Sequence, residues 1–425
     1  MHDRVQQAAY SLIPERDKQA IHLKIGQRLL QETASREQSQ AFFAMVGQLN
    51  KGRNLLQTSQ ERNHLAQLNL KAGRKAKAAT AYSTAVDYCN VSRQLLSENS
   101  WLSNYATTLE IFVESLESEY LSTNFDVIEP LAATILEQTQ DILDNIKVHE
   151  VRIRAWIGQG DQHKALEIGL KVLSMLEITL LEEPPQVASD ISALIDAPTM
   201  SDLHKLAAMD IMTGIITSAW AVSPIDFRRL AFTMVSLSLH YGNCPASSFG
   251  YAWYGTILCE VFGEIDTGYA FGQLAVALVN HFDERTLRAK VLNIYATCIG
   301  PWKSHAKHCL DFHLDGLQAG LETGDLEFAS YDAAEHAQYL FLIGKPLTQV
   351  KEDCQQKLSI IKYLEQGFHI DYLAPWFQAT LNLLGHKQDA RKESRDKKTS
   401  ESPTLLDGEI YREQDRLPAL VNKNS

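Results

Sequence analysis

The sequence predicts an all-α fold made of helical hairpins, and three observations support this prediction. The chain has 22 Gly and 12 Pro among 425 residues, which is below average usage. Apolar and small residues recur at intervals of three and four, without the alternation that marks strands. A short turn signal also recurs along the chain, as expected for repeated helix pairs.

Two segments show the helical period most clearly. From Ala72 to Cys89, small or apolar residues recur at intervals of three and four and fall on one face at 3.6 residues per turn, so we expect helix here. The segment through Ala165, Ile168 and Val172 follows the same pattern. Gly73 and Ala85 lie twelve positions apart, where small residues would let two antiparallel helices approach closely.

The turn signals are irregularly spaced. Each is followed five positions later by a small or apolar residue, and the followers are separated by 37, 103 and 61 residues. The first two spacings are near one and three units of about 34 residues, and the third is not a multiple. The signals are Thr123-Asn124-Phe125, Gly160-Asp161, Gly263-Glu264 and Gly324-Asp325-Leu326.

These features resemble the tetratricopeptide repeat, and the best single match is GQGDQHKALEIGLKVLSML. The resemblance implies a tetratricopeptide-like solenoid of helical hairpins, with degenerate repeats and a right-handed superhelical path. Another α-hairpin array or a helix bundle is the alternative. The stretch from Glu182 to Asp202, with Pro184, Pro185 and Pro198, should be a long connection or a distorted repeat.

Charge and cysteine content restrict the class of partner. The formal net charge of −12 provides no positive field for nucleic acid or an anionic membrane, so neither is expected as a partner. Six scattered cysteines without a CxxC motif indicate buried thiols of a cytosolic protein. The charged N-terminus has no signal-peptide core, and no apolar run reaches 18 residues, so we expect a soluble, cytoplasmic protein.

Motifs for nucleotide chemistry are missing. Gly344-Lys345 lacks the upstream glycine of a P-loop and precedes Pro346, so it is interpreted as a helix C-cap. The kinase loop motifs are also missing, since Asp311-Phe312-His313 has no following glycine and lies in a helical pattern. We therefore expect no catalytic and no cofactor-binding residue.

Two further groups contain residue types found in metal or nucleophile sites. His305, His308, Cys309 and His313 offer zinc-type ligands, but one helix seldom supplies three of them, so an ordinary helix with buried Cys309 and solvent-facing histidines is favoured and no metal site is expected.

YGNCPASSFGYAWYG would present Cys244, Ser247 or Ser248 as nucleophiles, but we favour a tight turn that packs the following aromatic residues.

Acidic pairs and aromatic residues complete the set of candidates. Glu182-Glu183, together with Glu117 and Glu119, has no visible partner and should be solvated surface. Most tryptophans should be core residues, with a minority available as anchors for a bound partner. The six are Trp101, Trp156, Trp220, Trp253, Trp302 and Trp376. An apolar stripe near the N-terminus would be adhesive if exposed, and its residues are Val5, Ala8, Ala9 and Leu12.

Several long strings resemble one family of large bacterial signalling proteins. They include HDRVQQAAYSLIP, LAQLNLKAGRKAKAATAYSTAVDY, SLSLHYGNCPASSFGYAWYG and LLDGEIYREQDRLPAL. This family joins a serine/threonine-kinase-like domain, a P-loop AAA-type ATPase module, a tetratricopeptide-like region, a GAF sensor and often a histidine kinase. The resemblance implies a remnant of the ATPase module at 1–20, the helical repeat region at 21–385 and the lead-in to a missing sensor at 403–425. Residues 386–402, rich in mixed charge, should be a disordered linker.

The expected function is a noncatalytic scaffold within a signalling ATPase or kinase. Its partners would be other proteins or the neighbouring ATPase, sensor and kinase domains, and it would need no cofactor. One alternative is a part of a serine/threonine or histidine kinase whose ATP-dependent activity lies in absent or separately encoded domains. The second alternative is a stand-alone peptide-binding adaptor.

Overall fold

A computed structural model describes residues 13–33, 39–187 and 190–385. These residues form 18 α-helices and no strand, with one isolated parallel bridge between Thr199 and Asn243. They divide into two compact units. Unit 1 contains the described residues up to 179 together with 214–224, and unit 2 contains 180–213 and 225–385.

Unit 1 consists of helices that each pack on their neighbours in sequence. Its helices are α1 (Glu15–Thr33), α2 (Ser39–Lys51), α3 (Ser59–Ala78), α4 (Tyr82–Leu95), α5 (Ser100–Ser103), α6 (Tyr105–Leu121), α7 (Ile128–Leu136), α8 (Ile142–Gly158) and α9 (Gln162–Met175). Helix α10 (Leu203–Val222) is divided between the units at residue 214. The contacts join α1 to α2, α3 to α4, α4 to α6 and α8 to α9, which is the arrangement of successive hairpins.

Unit 2 repeats this arrangement. Its helices are α11 (Pro224–Tyr241), α12 (Pro245–Ile257), α13 (Ile265–His281), α14 (Arg285–Ile294), α15 (Cys309–Thr323), α16 (Leu326–Leu342), α17 (Leu347–Tyr363) and α18 (Gly367–Leu383). Two π-helical turns, Leu258–Phe262 and Tyr295–Ile299, extend α12 and α14. The all-α, helical-hairpin fold class is confirmed.

Helical spacing explains the core of α9. Ala165, Ile168 and Val172 are at most 6% exposed, as their common face requires. Asp161 begins the helix, because its carboxylate accepts a hydrogen bond from the Lys164 backbone N–H. The sequence prediction for this segment is confirmed.

The segment from Ala72 to Cys89 is helical, as expected, and it belongs to two helices separated by a turn. Helix α3 ends at Ala78 and α4 begins at Tyr82, with Thr80 between them in the left-handed region at a φ of 56°. The small residues keep their period across the break because both helices bury them against each other. The predicted close approach is confirmed, since a Cβ on Gly73 would lie 3.0 Å from the Cys89 sulfur and 3.5 Å from the Ala85 carbonyl oxygen.

All four predicted turn signals separate helices. Thr123, Gly160, Gly263 and Gly324 each have a positive φ, which ends the preceding helix. Toward the C-terminus such residues recur at 324, 344, 365 and 385, about every 20 residues, so one hairpin there takes about 41 residues rather than 34. Helices of 17 residues in α16, α17 and α18 account for the longer unit.

The connection from Glu182 to Asp202 is irregular, as predicted. It contains a 3₁₀ turn at Ser192–Asp196. Its end is held by Asn243, whose backbone N–H donates to the Pro198 carbonyl at 2.7 Å and whose carbonyl accepts from Met200 N–H at 2.8 Å. A long connection is thereby tied to the turn before α12.

Helix α10 is long and apolar enough to cross a membrane by length and composition, and half of its most apolar window is buried within the protein. A core helix passes the same test, so this is weak evidence of a membrane span. Three predictions lie outside the described residues: most of the ATPase remnant at 1–20 with its stripe from Val5 to Leu12, the linker at 386–402 and the lead-in at 403–425.

Candidate functional site

The second π-helical turn lies over a group of buried polar side chains in unit 2. Helix α14 passes into this turn at Tyr295, and Gly300 and Pro301 follow it. The Tyr339 hydroxyl donates to the carbonyl oxygens of Ala296 and Thr297, at 3.1 and 3.3 Å. Because π-helical turns concentrate at functional sites, the polar residues beneath this one are the first candidates.

We call this group the Asp332 cluster. It comprises Asn293, Thr297, His313, Asp332, Glu335 and Tyr372. The members come from α14, its π-turn, α15, α16 and α18, so the cluster joins four helices of unit 2.

Two carboxyl groups occupy the centre of the cluster. Asp332 Oδ1 lies 2.9 Å from His313 Nδ1 and accepts from the Asn293 amide at 3.0 Å. Glu335 Oε2 accepts from the same amide at 2.7 Å and from the Thr297 hydroxyl at 2.6 Å. Asp332 and His313 are wholly buried, and Glu335 is 4% exposed.

Burial controls ionisation here. It raises the pKa of Asp332 well above its usual range, against a hydrogen bond from Asn293 that lowers it. Burial also raises the pKa of Glu335 to about 7, although Thr297, Asn293 and Tyr372 donate hydrogen bonds to it. The pKa of His313 falls to about 3, first because of burial and then because of the nearby His336 charge. His313 is therefore neutral at physiological pH.

The burial of these side chains suits the binding of a small ligand such as a metal ion better than catalysis on a substrate at the protein surface. His313, Asp332 and Glu335 each offer a potential metal-ligand atom, and these atoms all lie within 4.8 Å of one another. None of the three is exposed to solvent. Substrate would have no direct access to them from the surface.

The sequence expectation for the histidines of this region is partly wrong. His305 and His308 are exposed and Cys309 is buried, as expected, but His313 is buried rather than solvent-facing. His305 also lies before a 3₁₀ turn at Ala306–His308, so it does not share a helical face with Cys309 and His313. Only His313 of the four reaches the Asp332 cluster, where its carboxyl neighbours Asp332 and Glu335 come from α16.

The remaining nucleotide-like and nucleophile-like motifs have structural roles. Gly344 has a φ of 74° after α16, which confirms the helix C-cap before Pro346. Asp311-Phe312-His313 lies within α15, as predicted.

The predicted turn at Cys244 is also confirmed. The Ser247 hydroxyl accepts from Cys244 N–H at 3.0 Å at the start of α12. Burial raises the pKa of the Cys244 thiol, which keeps it protonated.

The acidic residues divide into two groups. Glu182 and Glu183 are exposed, as expected, but Glu182 has a partner, because it pairs with Arg229. Glu119 is buried and accepts a hydrogen bond from the Asn124 amide at 2.7 Å, and half-buried Glu117 pairs with Lys77 at 2.7 Å, so the surface prediction for this pair is wrong. Burial opposes ionisation of Glu117, but the hydrogen bond from Lys77 keeps its pKa below the ordinary value.

The tryptophans are less buried than expected. Trp253 is in the core, whereas Trp220 and Trp302 are 53% and 51% exposed. The other three are half-buried. One of these, Trp156, donates its indole N–H to Glu129 at 3.0 Å, so its polar edge is satisfied within unit 1.

A second candidate is an exposed apolar area of unit 2, which we call the Phe262 surface. It consists of Ile225, Val261 and Phe262, which are 59%, 54% and 45% exposed. Phe262 stacks on the buried Phe232 ring, with centroids 6.4 Å apart. A cavity of about 230 Å³ adjoins it, lined by Glu182, Glu183, Pro184, Ile225, Arg228, Arg229, Phe232 and Phe262. Apolar side chains surrounded by both acidic and basic residues are typical of a protein-contact surface.

The chain is similar to known signalling proteins. No protein-family model matches the chain. The hybrid signal transduction histidine kinase G of Dictyostelium discoideum is 22% identical over 442 aligned positions, which cover 90% of this chain and 13% of that protein. The chain therefore spans a small part of this relative. A solved structure of a Signal Transduction ATPase with Numerous Domains protein with a tetratricopeptide repeat sensor, from Pyrococcus horikoshii, aligns with a TM-score of 0.36 and 11% identity, over 90% of this chain and 67% of that one.

Proposed function

We propose that the chain is a noncatalytic helical scaffold of a signal-transduction ATPase or kinase, which binds neighbouring domains of that protein. The observation that carries this proposal is the Phe262 surface. Three large apolar side chains project from α11 and the first π-turn and are about half exposed. Their exposure is explained if a protein domain covers them.

The similarity to a histidine kinase supports the proposal that the chain is one region of a signalling protein. The match covers 90% of this chain and only 13% of the kinase, as expected for one region of a long multidomain protein. Catalytic activity would then belong to other regions. A repeat of hairpins suits an intermediate region, because each helix contacts its sequence neighbours and a displacement at one pair is passed to the next.

The buried groups fit a structural role. Five of the six cysteines are buried, and burial raises the pKa of Cys354 to about 12 and of Cys309 to about 11. Thiols in this state are poor nucleophiles. The carboxyl groups of the Asp332 cluster are buried, so they are not presented to a substrate at the surface.

An assay of the purified chain with ATP tests the noncatalytic part of the proposal. We expect neither binding nor hydrolysis of ATP above the buffer background. Glu335→Gln serves as a comparison because it removes a buried acid with a pKa near neutrality. Turnover by the unsubstituted chain that disappears in this or another single variant would overturn the proposal and favour an enzyme.

A further inference from the structure

The Asp332 cluster has an excess of buried negative groups. Asp332 and Glu335 lie in it together, and their hydrogen-bond partners within the described residues are Asn293, Thr297, Tyr372 and His313. None of these is a Lys or Arg. Since a buried carboxylate is stable only when it is paired, coordinated or protonated, a bound cation would allow both carboxyl groups to be ionised here.

The spacing of the potential ligands fits a small cation. His313 Nδ1 lies 2.9 Å from Asp332 Oδ1 and 3.8 Å from Glu335 Oε2. Nitrogen and oxygen ligands bound at about 2.0–2.2 Å are about 3.3–3.5 Å apart in a tetrahedral site. The observed separations lie on either side of this value, so small shifts of side chains would place all three atoms around one ion.

An unpartnered atom provides an independent observation. Asp332 Oδ2 is buried without a hydrogen-bond partner, in a side chain that is wholly buried. Gly316 makes the position of Asp332 possible, because a Cβ there would lie 2.1 Å from Oδ2. A buried carboxylate oxygen without a hydrogen-bond partner is expected to carry a proton or to contact a cation.

We propose that His313, Asp332 and Glu335 bind one divalent first-row transition-metal ion, such as Zn²⁺ or Mn²⁺. Two carboxylates would balance its charge inside the protein. The imidazole nitrogen favours these ions over Mg²⁺ and Ca²⁺, which take oxygen ligands. The Phe262 surface is separate, so this proposal is independent of the scaffold function.

Asn293 is the fourth ligand of the proposed site. Its amide nitrogen lies 3.0 Å from Asp332 Oδ1 and 2.7 Å from Glu335 Oε2. A half-turn of the amide places its oxygen at the same point, facing the ion. The ion then links α14, α15 and α16, and it acts as a structural clamp on unit 2.

Metal titration of the full chain tests this proposal. The purified protein is stripped with a chelator, and Zn²⁺ and Mn²⁺ are added separately during calorimetry and thermal unfolding. We expect one ion of Zn²⁺ or Mn²⁺ per chain and a higher unfolding temperature, because a ligand that binds only the folded state stabilises it. Mg²⁺ and Ca²⁺ should give neither effect. Failure of both transition metals to bind would overturn the proposal.

Three variants locate the ion. Asp332→Asn and Glu335→Gln keep side-chain shape and remove one charge each, so each should lose the bound ion and the thermal shift. The second variant keeps the test valid if the first does not fold. Asp353→Asn is the matched control, because Asp353 pairs with His336 at 3.1 Å outside the cluster, and it should bind metal like the unsubstituted chain. Binding that persists in both cluster variants, or is lost equally in the control, would contradict this assignment.

Discussion

At the scale of single residues, buried polar groups determine how stability depends on pH. His369 is 3% exposed, and neither ring nitrogen has a hydrogen-bond partner. Its ring packs edge-on against Tyr331, with centroids 4.3 Å apart. Burial lowers its pKa to about 4, so the folded protein holds this residue neutral.

Because buried His369 is held neutral, the stability of the folded protein falls in acid. Between the ordinary histidine pKa of about 6.5 and the folded value of about 4, the unfolded chain binds the extra proton, so stability falls as pH decreases through this range. His369→Phe removes the two unpartnered nitrogens and should stabilise unit 2 by about 1 kcal/mol at pH 7. It should also reduce the loss of stability between pH 6.5 and pH 4.

Urea unfolding at several pH values measures both effects. The exposed His64 provides the control, since His64→Gln should leave the pH dependence unchanged. An unchanged acid dependence in His369→Phe would show that this histidine is not held neutral by burial.

At the scale of helices, close packing depends on glycines. A Cβ on Gly255 of α12 would lie 2.7 Å from the Gly268 carbonyl oxygen on α13. Backbone cannot move aside easily, so Gly255→Ala should destabilise unit 2 by about 1–3 kcal/mol. Gly367 of α18 has no neighbouring atom within 4 Å of its Cβ position. Gly367→Ala should therefore be neutral or stabilising, by up to about 1 kcal/mol.

The midpoints of urea unfolding compare these two variants directly. Opposite signs are expected because the substitution is the same and only the available space differs. A Gly255→Ala protein as stable as the Gly367→Ala protein would mean that α12 and α13 do not approach this closely.

The sequence predicted helices well where the signal was local. The period in α9 and the positive-φ turn at Gly160 both depend on residues within one or two helices. It also placed Gly73 and Ala85 in two antiparallel helices, as the structure has them, but it did not give the position of the turn at Thr80. No glycine or proline marks that turn.

The candidate site was harder to predict because its contacts are distant in sequence. Asn293 and Glu335 are 42 residues apart, and His313 and Asp332 are 19 apart. Glu117 likewise meets Lys77 from 40 residues away. A helical pattern does not show which polar residue of another helix a side chain will face. The Asp332 cluster and the Glu117–Lys77 pair could therefore be found only in the structure.

At the scale of the whole molecule, the central claim is that an exposed surface of unit 2 binds a neighbouring signalling domain. Phe262→Asp places a charge in the Phe262 surface and should weaken such binding. Because it also removes the stacking of this ring on Phe232, the unfolding midpoint of the variant must show that the fold is retained. Tyr363→Asp is the control, since Tyr363 is 80% exposed elsewhere in unit 2.

The most direct measurement is a calorimetric titration of the purified chain with the ATPase and sensor domains expressed as separate polypeptides. We expect saturable binding of at least one domain, with an affinity that is unchanged in Tyr363→Asp and about ten-fold weaker in Phe262→Asp, a loss of about 1.4 kcal/mol. Absence of binding to either domain, or equal binding by both variants, would contradict the claim.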